Sequence, residues 1–181
     1  MRNDDAGNDA VEQILWQWSV ERPDLDVSAM GVFGRLSRAA GLLKRSLAET
    51  FEGYGLNGGE FDVLATLRRS GEPYSLTPTA LYRSMMLSSA AMTNRIDRLE
   101  KRGFVAREPD PDDRRGVGIH LTTEGLDLIE GAIEAHVEGE ERLLAALSEE
   151  ERLHLAELLG KLMSSMQARQ QAETPGSENT G

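Results

Sequence analysis

The sequence contains no cysteine among its 181 residues. That absence excludes disulfides, thiolate metal ligands, a cysteine nucleophile and thiol redox sensing. No stretch approaches the ~18 consecutive apolar residues of a membrane-spanning helix, and residues 1–9 are polar and acidic, unlike a signal peptide. Aromatic residues make up only 5% and the 18 glycines are scattered, so the composition does not suggest a many-stranded β protein. Enzyme signatures are missing too: there is no G-x-S-x-G, no P-loop and no glycine-rich dinucleotide turn. His120, His136 and His154 fall on three different expected elements, without an i, i+4 partner or an acidic set at ligand spacing. These absences lead to the expectation of a cytoplasmic protein that is not an enzyme and holds no metal and no cofactor.

Hydrophobic residues at 39% and charged residues at 28% suffice for a folded core. The length fits one domain with extensions. The net charge of −11 argues at first sight against a polyanionic partner, but the charge is unevenly spread. Residues 1–76 carry 8 Lys and Arg against 12 Asp and Glu, residues 77–115 carry 8 against 6, and residues 116–181 carry 4 against 13. The middle segment alone is basic. Screening limits exposed charge to a reach of about 8–10 Å, so the local balance decides where a polyanion docks.

Helical periodicity opens with Val11–Glu21, which Pro23 stops. Ser28 is the expected N-cap of a long helix carrying Met30, Phe33, Leu36, Ala40, Leu43, Leu47 and Phe51 at steps of three or four, ended by Gly53-Tyr54-Gly55. A helix from about Gly59 to Ser70 follows. Thr77 and Pro78 then open a short helix, and a second runs from Ser88 to Arg102 with Gly103 as its C′ residue. The period then changes: Phe104–Arg107 and Val117–Leu121 read as strands of a hairpin joined by the polar turn Glu108–Gly116. From Thr122 the helical period returns with Leu126, Ile129, Ile133 and Val137. Ser148–Glu151 forms a capping box before a last helix bearing Leu155, Leu158, Leu159, Leu162 and Met166.

Helix, short helix, tight turn, second helix and hairpin, in that order, make a mainly α (α+β) winged helix-turn-helix with long helices at both chain ends. Such a unit suits duplex DNA, because a helix fits the major groove and a hairpin tip reaches the neighbouring minor groove. The small polar residues Ser88, Ser89, Thr93 and Asn94 can approach phosphates and base edges, and Arg98 lies one turn beyond Asn94. At the hairpin tip Arg114 and Arg115 follow two aspartates that can hold one guanidinium. Arg115 is the expected minor-groove residue.

From about Met30 to Met166 the chain resembles the MarR family of transcription regulators. The resemblance is carried most specifically by the wing, D110-P-D-D-R-R-G-V-G-I-H-L-T-T-E-G125, preceded by L99-E-K-R-G-F-V-A-R107. It implies a homodimer, with first and last helices interleaved around a two-fold axis and two wings gripping a pseudo-palindromic operator. The stretch W18-S-V-E-R-P-D-L-D26 ahead of the usual first helix is similar to the urate-responsive, PecS-like branch. That likeness implies a ligand site formed by Trp18, Asp62, Arg95 and Arg107. Urate is flat and anionic, so a tryptophan supplies a stacking face and an arginine a charged fork. Asp62 would repel the anion, and in the DNA-binding form it is expected to pair with a nearby arginine. Three plainer roles stay open: Trp18 as an interface aromatic, Asp62 as a solvent-facing helix residue, and Arg95 as a phosphate contact.

The expected organisation is a flexible N-terminus (1–9), an extra helix and first dimerisation helix (10–55), the DNA-binding winged helix-turn-helix (56–121), C-terminal dimerisation helices (122–171) and a disordered tail (172–181). The expected function is a repressor released by an anionic purine such as urate. Two other readings remain: a repressor answering a phenolic or salicylate-like anion, and an acidic helical adaptor that binds protein.

Overall fold

Proline and small polar residues set the chain's first joint. In the computed structural model, which describes residues 10–85, 89–109 and 117–173 but not the side chains of residues 89–91, α1 (Ala10–Glu21) stops two residues before Pro23. Arg22 then grips Asp24 with two bonds, Nε to Oδ1 at 2.8 Å and Nη2 to Oδ2 at 2.7 Å. Asp26 Oδ1 accepts the backbone N–H of Ser28 at 2.9 Å, at the start of α2 (Ser28–Gly53). Ser28 is therefore not the N-cap: Val27 holds that place without a side-chain bond. Ser28 is already the first helical residue, and its amide, one of the helix's unpaired N–H groups, is satisfied by the carboxylate of Asp26. Leu15 and Val11 of α1 seat over Gly31 and Gly34 of α2.

α3 (Gly58–Arg69) begins one residue before the expected Gly59 because Asn57 caps it. Asn57 Oδ1 accepts from Glu60 N at 3.0 Å, and Glu60 Oε2 accepts from Asn57 N at 3.1 Å, a reciprocal capping box. α4 (Pro78–Met85) is capped as expected by the Thr77 hydroxyl, which accepts from Ala80 N at 3.2 Å. α5 (Ser89–Lys101) buries Met92, Ile96 and Leu99, a spacing of four and three that defines one helical face. It ends at Gly103, whose φ of 77° lies in the left-handed region that favours glycine.

The sheet has three antiparallel strands in the order β1-β3-β2. β2 (Val105–Pro109) and β3 (Val117–Leu121) are the expected hairpin, with Val105 opposite Leu121 and Arg107 opposite Ile119. β1 (Ser75–Leu76) adds an edge strand that the sequence did not suggest, since two residues are too short to show alternation. Residues 110–116, which include the expected tip, lie outside the described residues, as do residues 1–9 and 174–181. One apolar cluster joins the C-terminal end of α2, α3, α4, α5, the sheet and α6 (Thr123–Leu143). Its fully enclosed members include Leu64, Leu67, Leu81, Leu99, Ile119 and Ile129.

Residues 140–173 form a second unit. Ser148 and Glu151 cap α7 (Glu149–Glu173) reciprocally, as expected, and α7 runs two residues into the segment expected to be a disordered tail. No residue of α7 is buried, and Leu153, Leu155, Leu158, Met163 and Met166 are exposed. Along α1 and α2, Trp16, Val20, Met30, Val32, Phe33 and Leu42 are exposed as well.

The start of α6 explains the Leu-Thr-x-x-Gly offset. Thr122 Oγ1 donates to Gly103 O at 2.6 Å and accepts from Gly125 N at 3.0 Å, while Thr122 N donates to Phe104 O at 3.2 Å. A Cβ on residue 125 would fall inside the Phe104 carbonyl group, whose backbone cannot give way. Gly125→Ala is therefore expected to lower unfolding free energy by about 2–3 kcal/mol, measured by denaturant melts of the purified protein.

Candidate nucleic-acid interface and ligand pocket

α5 presents two faces. Met92, Ile96 and Leu99 hold one against the core, while Thr93, Asn94 and Arg98 are exposed on the rest. Three of the residues expected to touch DNA thus share an open, polar helix surface. Thr93 Oγ1 lies 3.4 Å from the Tyr82 hydroxyl of α4, which ties the two helices of the pair together. Ser89 is the first residue of α5, but its side chain is not described. Ser88, Arg114 and Arg115 lie outside the described residues.

Two sets of charges grip α5. On one side stands Glu60, whose side chain is only 6% exposed: Arg98 Nε lies 3.3 Å from its Oε1 and Arg102 Nη1 3.4 Å from its Oε2. Arg102 also stacks on Phe104, 4.8 Å from the ring centroid. On the other side Arg107 of β2 binds Asp97 and Glu100 of α5 through its two terminal nitrogens. The bond to Asp97 is the main cause of the upward shift of the Arg107 pKa. Arg107, expected at the ligand, is engaged instead in fastening the wing to the helix.

A pocket of about 500 Å³ opens between α3, α4 and α6. Asp62, Thr66 and Arg69 of α3 supply its polar wall, Ser84 and Met85 the α4 side, and Ile133 and His136 the α6 side. Phe61 lines it too, its ring 5.0 Å from that of His136 and stacked 4.2 Å from Phe51. Arg69 Nη2 reaches Ser84 O at 3.5 Å. The Asp62 carboxyl is open to solvent at the mouth, yet crowding by the protein pushes its pKa up. The positive charges of Arg95 and Arg69 pull it partly back.

Asp62 and Arg95 are therefore brought within electrostatic reach of each other. The Arg95 guanidinium lies directly on the backbone of Gly59, where a Cβ would collide with it. Its Nη1 is buried and has no hydrogen-bond partner among the described residues. Trp18 is not part of this group. It is 41% exposed in a separate hollow of α1 lined by Trp16, Gln17, Trp18, Val20 and Glu21, and neither Asp62 nor either arginine lines that hollow.

Sequence reasoning missed Glu60, Arg69 and His136. The N57-G-G-E60 capping signature could have marked Glu60 as a local cap, but gave no sign of its arginine partners some 40 positions on. Arg69 falls seven residues after Asp62 on the same helical face, a spacing that could have linked them. His136 carried no local signal.

The raised pKa of Asp62 has a definite sign. The folded chain holds that proton more tightly than the unfolded chain, so the ionised carboxylate costs stability as pH rises through the window above its ordinary value. Because the group is solvent-accessible, the effect is small. At pH 7 the Asp62→Asn protein is expected to melt higher by ~1 °C, and the difference should vanish in thermal scans below the ordinary carboxylate range.

The MarR family profile matches residues 56–117, which include α3, α4, α5 and β2 and end at the first residue of β3. The transcriptional regulator PecS of Dickeya dadantii is 47% identical over 152 residues, covering 84% of this chain and 92% of its own. Among solved structures, the MarR-family regulator Sco3205 of Streptomyces coelicolor in complex with DNA superimposes with a TM-score of 0.70 at 25% identity, covering 78% of this chain and 93% of that one. BpsR of Bordetella bronchiseptica, whose DNA binding is regulated by 6-hydroxynicotinic acid, does so with a TM-score of 0.64 at 26% identity, covering 73% and 92%. With a relative this similar over nearly its whole length, the chain belongs to the MarR family and is a DNA-binding transcriptional regulator rather than an enzyme.

Proposed function

We propose that this regulator is a repressor that sits as a homodimer on a pseudo-palindromic operator and is released by an anionic aromatic ligand of the purine class, such as urate. The observation that carries the ligand half is the pocket lined by Asp62 and Arg69, with Arg95 in electrostatic reach of that carboxylate. An anion entering there meets Arg69 and repels Asp62. Displacing that carboxylate removes the negative charge facing Arg95, a residue of the DNA-reading helix. A coupling of only ~1–3 kcal/mol between the sites changes DNA affinity by roughly 5–150-fold.

The dimer half is supported by the apolar residues left open along α1, α2 and α7, a surface that a second copy of the chain would cover. Thr93, Asn94 and Arg98, with Ser88 and Ser89 before them, are the proposed contacts in the major groove, and Arg114 and Arg115 those of the wing. Trp18 and Arg107 keep the stacking and anion-binding parts that the family likeness implies. Neither lines the pocket in this chain, so each joins it through a movement or through the second copy. A second reading is favoured by that same fact: Phe61 and His136 already give the pocket an aromatic wall, which suits a phenolic or salicylate-like anion without Trp18.

Gel shifts on the chain's own upstream DNA test both readings. Urate, xanthine and a phenolic acid are titrated against the complexes of the parent, Asp62→Asn and Trp18→Ala proteins. Urate is expected to release the parent, and Asp62→Asn to need far more urate for release while binding it nearly as well. If Asp62→Asn is released like the parent, the switch is wrong. If Trp18→Ala keeps its response and the phenolic acid outperforms urate, the second reading stands.

A further inference from the structure

The Glu60 carboxylate sits in an unusual place for a charge: almost fully enclosed, in the first turn of α3, and shared by Arg98 of α5 and Arg102 just past its end. Its local task, accepting the N–H of Asn57, needs only one oxygen and no charge. The helix N-terminus favours the negative charge electrostatically, but that leaves unexplained why Arg98 and Arg102 both converge on it. The two arginines differ. Arg102 lies over the Phe104 ring, with its side chain 36% exposed. Arg98 pairs with Glu60 through Nε, 3.3 Å from Oε1, and its side chain is 57% exposed beside Asn94 on the open face of α5. A guanidinium held by its Nε still has four N–H donors to offer.

We infer that Glu60 is a positioning residue for DNA binding: it holds Arg98 by one edge of its fork so that the other edge meets a phosphate of the operator. The role requires a fork that can serve an anion on each side, which arginine has and lysine lacks. It also converts a flexible surface side chain into a pre-oriented one, so that less conformational freedom is lost when DNA arrives. The inference rests on α5 reading DNA and is independent of any ligand.

Operator binding is measured by fluorescence anisotropy across a salt series, with the full chain and melting curves as the check on folding. Arg98→Gln is expected to lower affinity about 10-fold and to flatten the salt dependence by about one unit for each half-site, as the loss of one phosphate contact does. Glu60→Gln, which keeps an oxygen for Asn57, is expected to do nearly the same, and the double variant to be no worse than either alone. Arg98→Lys, which leaves Glu60 and the α3 cap intact, keeps the charge yet is expected to lose most of what Arg98→Gln loses. The inference is overturned if Glu60→Gln lowers only the melting temperature and leaves affinity and salt slope at parental values. It fails equally if the two losses multiply in the double variant, or if lysine restores full binding. An unaltered Arg98→Gln protein would mean that Arg98 does not meet DNA, and the inference would fall with it.

Discussion

The surface of α5 has to be both fastened and free. Met92, Ile96 and Leu99 drive one face into the core, and that burial is the main force holding the helix on the domain. Apolar contact is non-directional, so it fixes where the helix lies better than it fixes rotation about its own axis. The directional contacts come from charge. Glu60 takes hold of Arg98 and Arg102 on one flank, and Arg107 takes hold of Asp97 and Glu100 on the other. Between these two grips the polar face that carries Thr93 and Asn94 is set at one angle.

A second constraint joins this reading unit to the long helix that follows. The wing returns to α6 through a contact in which Gly125 touches the carbonyl of Phe104 and Thr122 bonds to Gly103 and Gly125. Phe104 in turn carries Arg102, and Arg102 reaches Glu60. A shift at α6 is therefore felt at the wing base and at α5 through packed, hydrogen-bonded groups. The pocket between α3, α4 and α6 shares α3 and α6 with this framework.

Much of the fold was legible because it is written in local patterns. The helical stripes, the Thr77 and Ser148 caps, the Gly103 stop and the hairpin strands all follow from spacing within a few residues. What escaped depends on meetings between distant segments. β1 exists only because β3 offers it a partner, and α2 is entered at Val27 with Asp26 accepting the amide of Ser28, an arrangement that residue preference alone does not rank. The candidate site divides in the same way. Asp62 and Arg95 come close together across α3 and α5, as the family likeness implied. The hold of Asp97 and Glu100 on Arg107 was not legible, because these acids are its neighbours only once the wing folds back. The R22-P-D-L-D26 stretch that suggested a sensor branch is, in structural terms, a joint: Arg22 braces Asp24 and Asp26 starts α2.

The seat of α1 on α2 has a consequence of a different kind. Leu15 and Val11 fit into notches left by the missing side chains of Gly31 and Gly34, and an exposed Arg35–Glu12 pair joins the two helices across that seam. None of the residues enclosed in the central cluster comes from α1. The leading helix is thus an accessory clipped to a finished domain, and a chain could gain or shed it without redesigning the DNA-reading part, at the cost of filling two empty sockets.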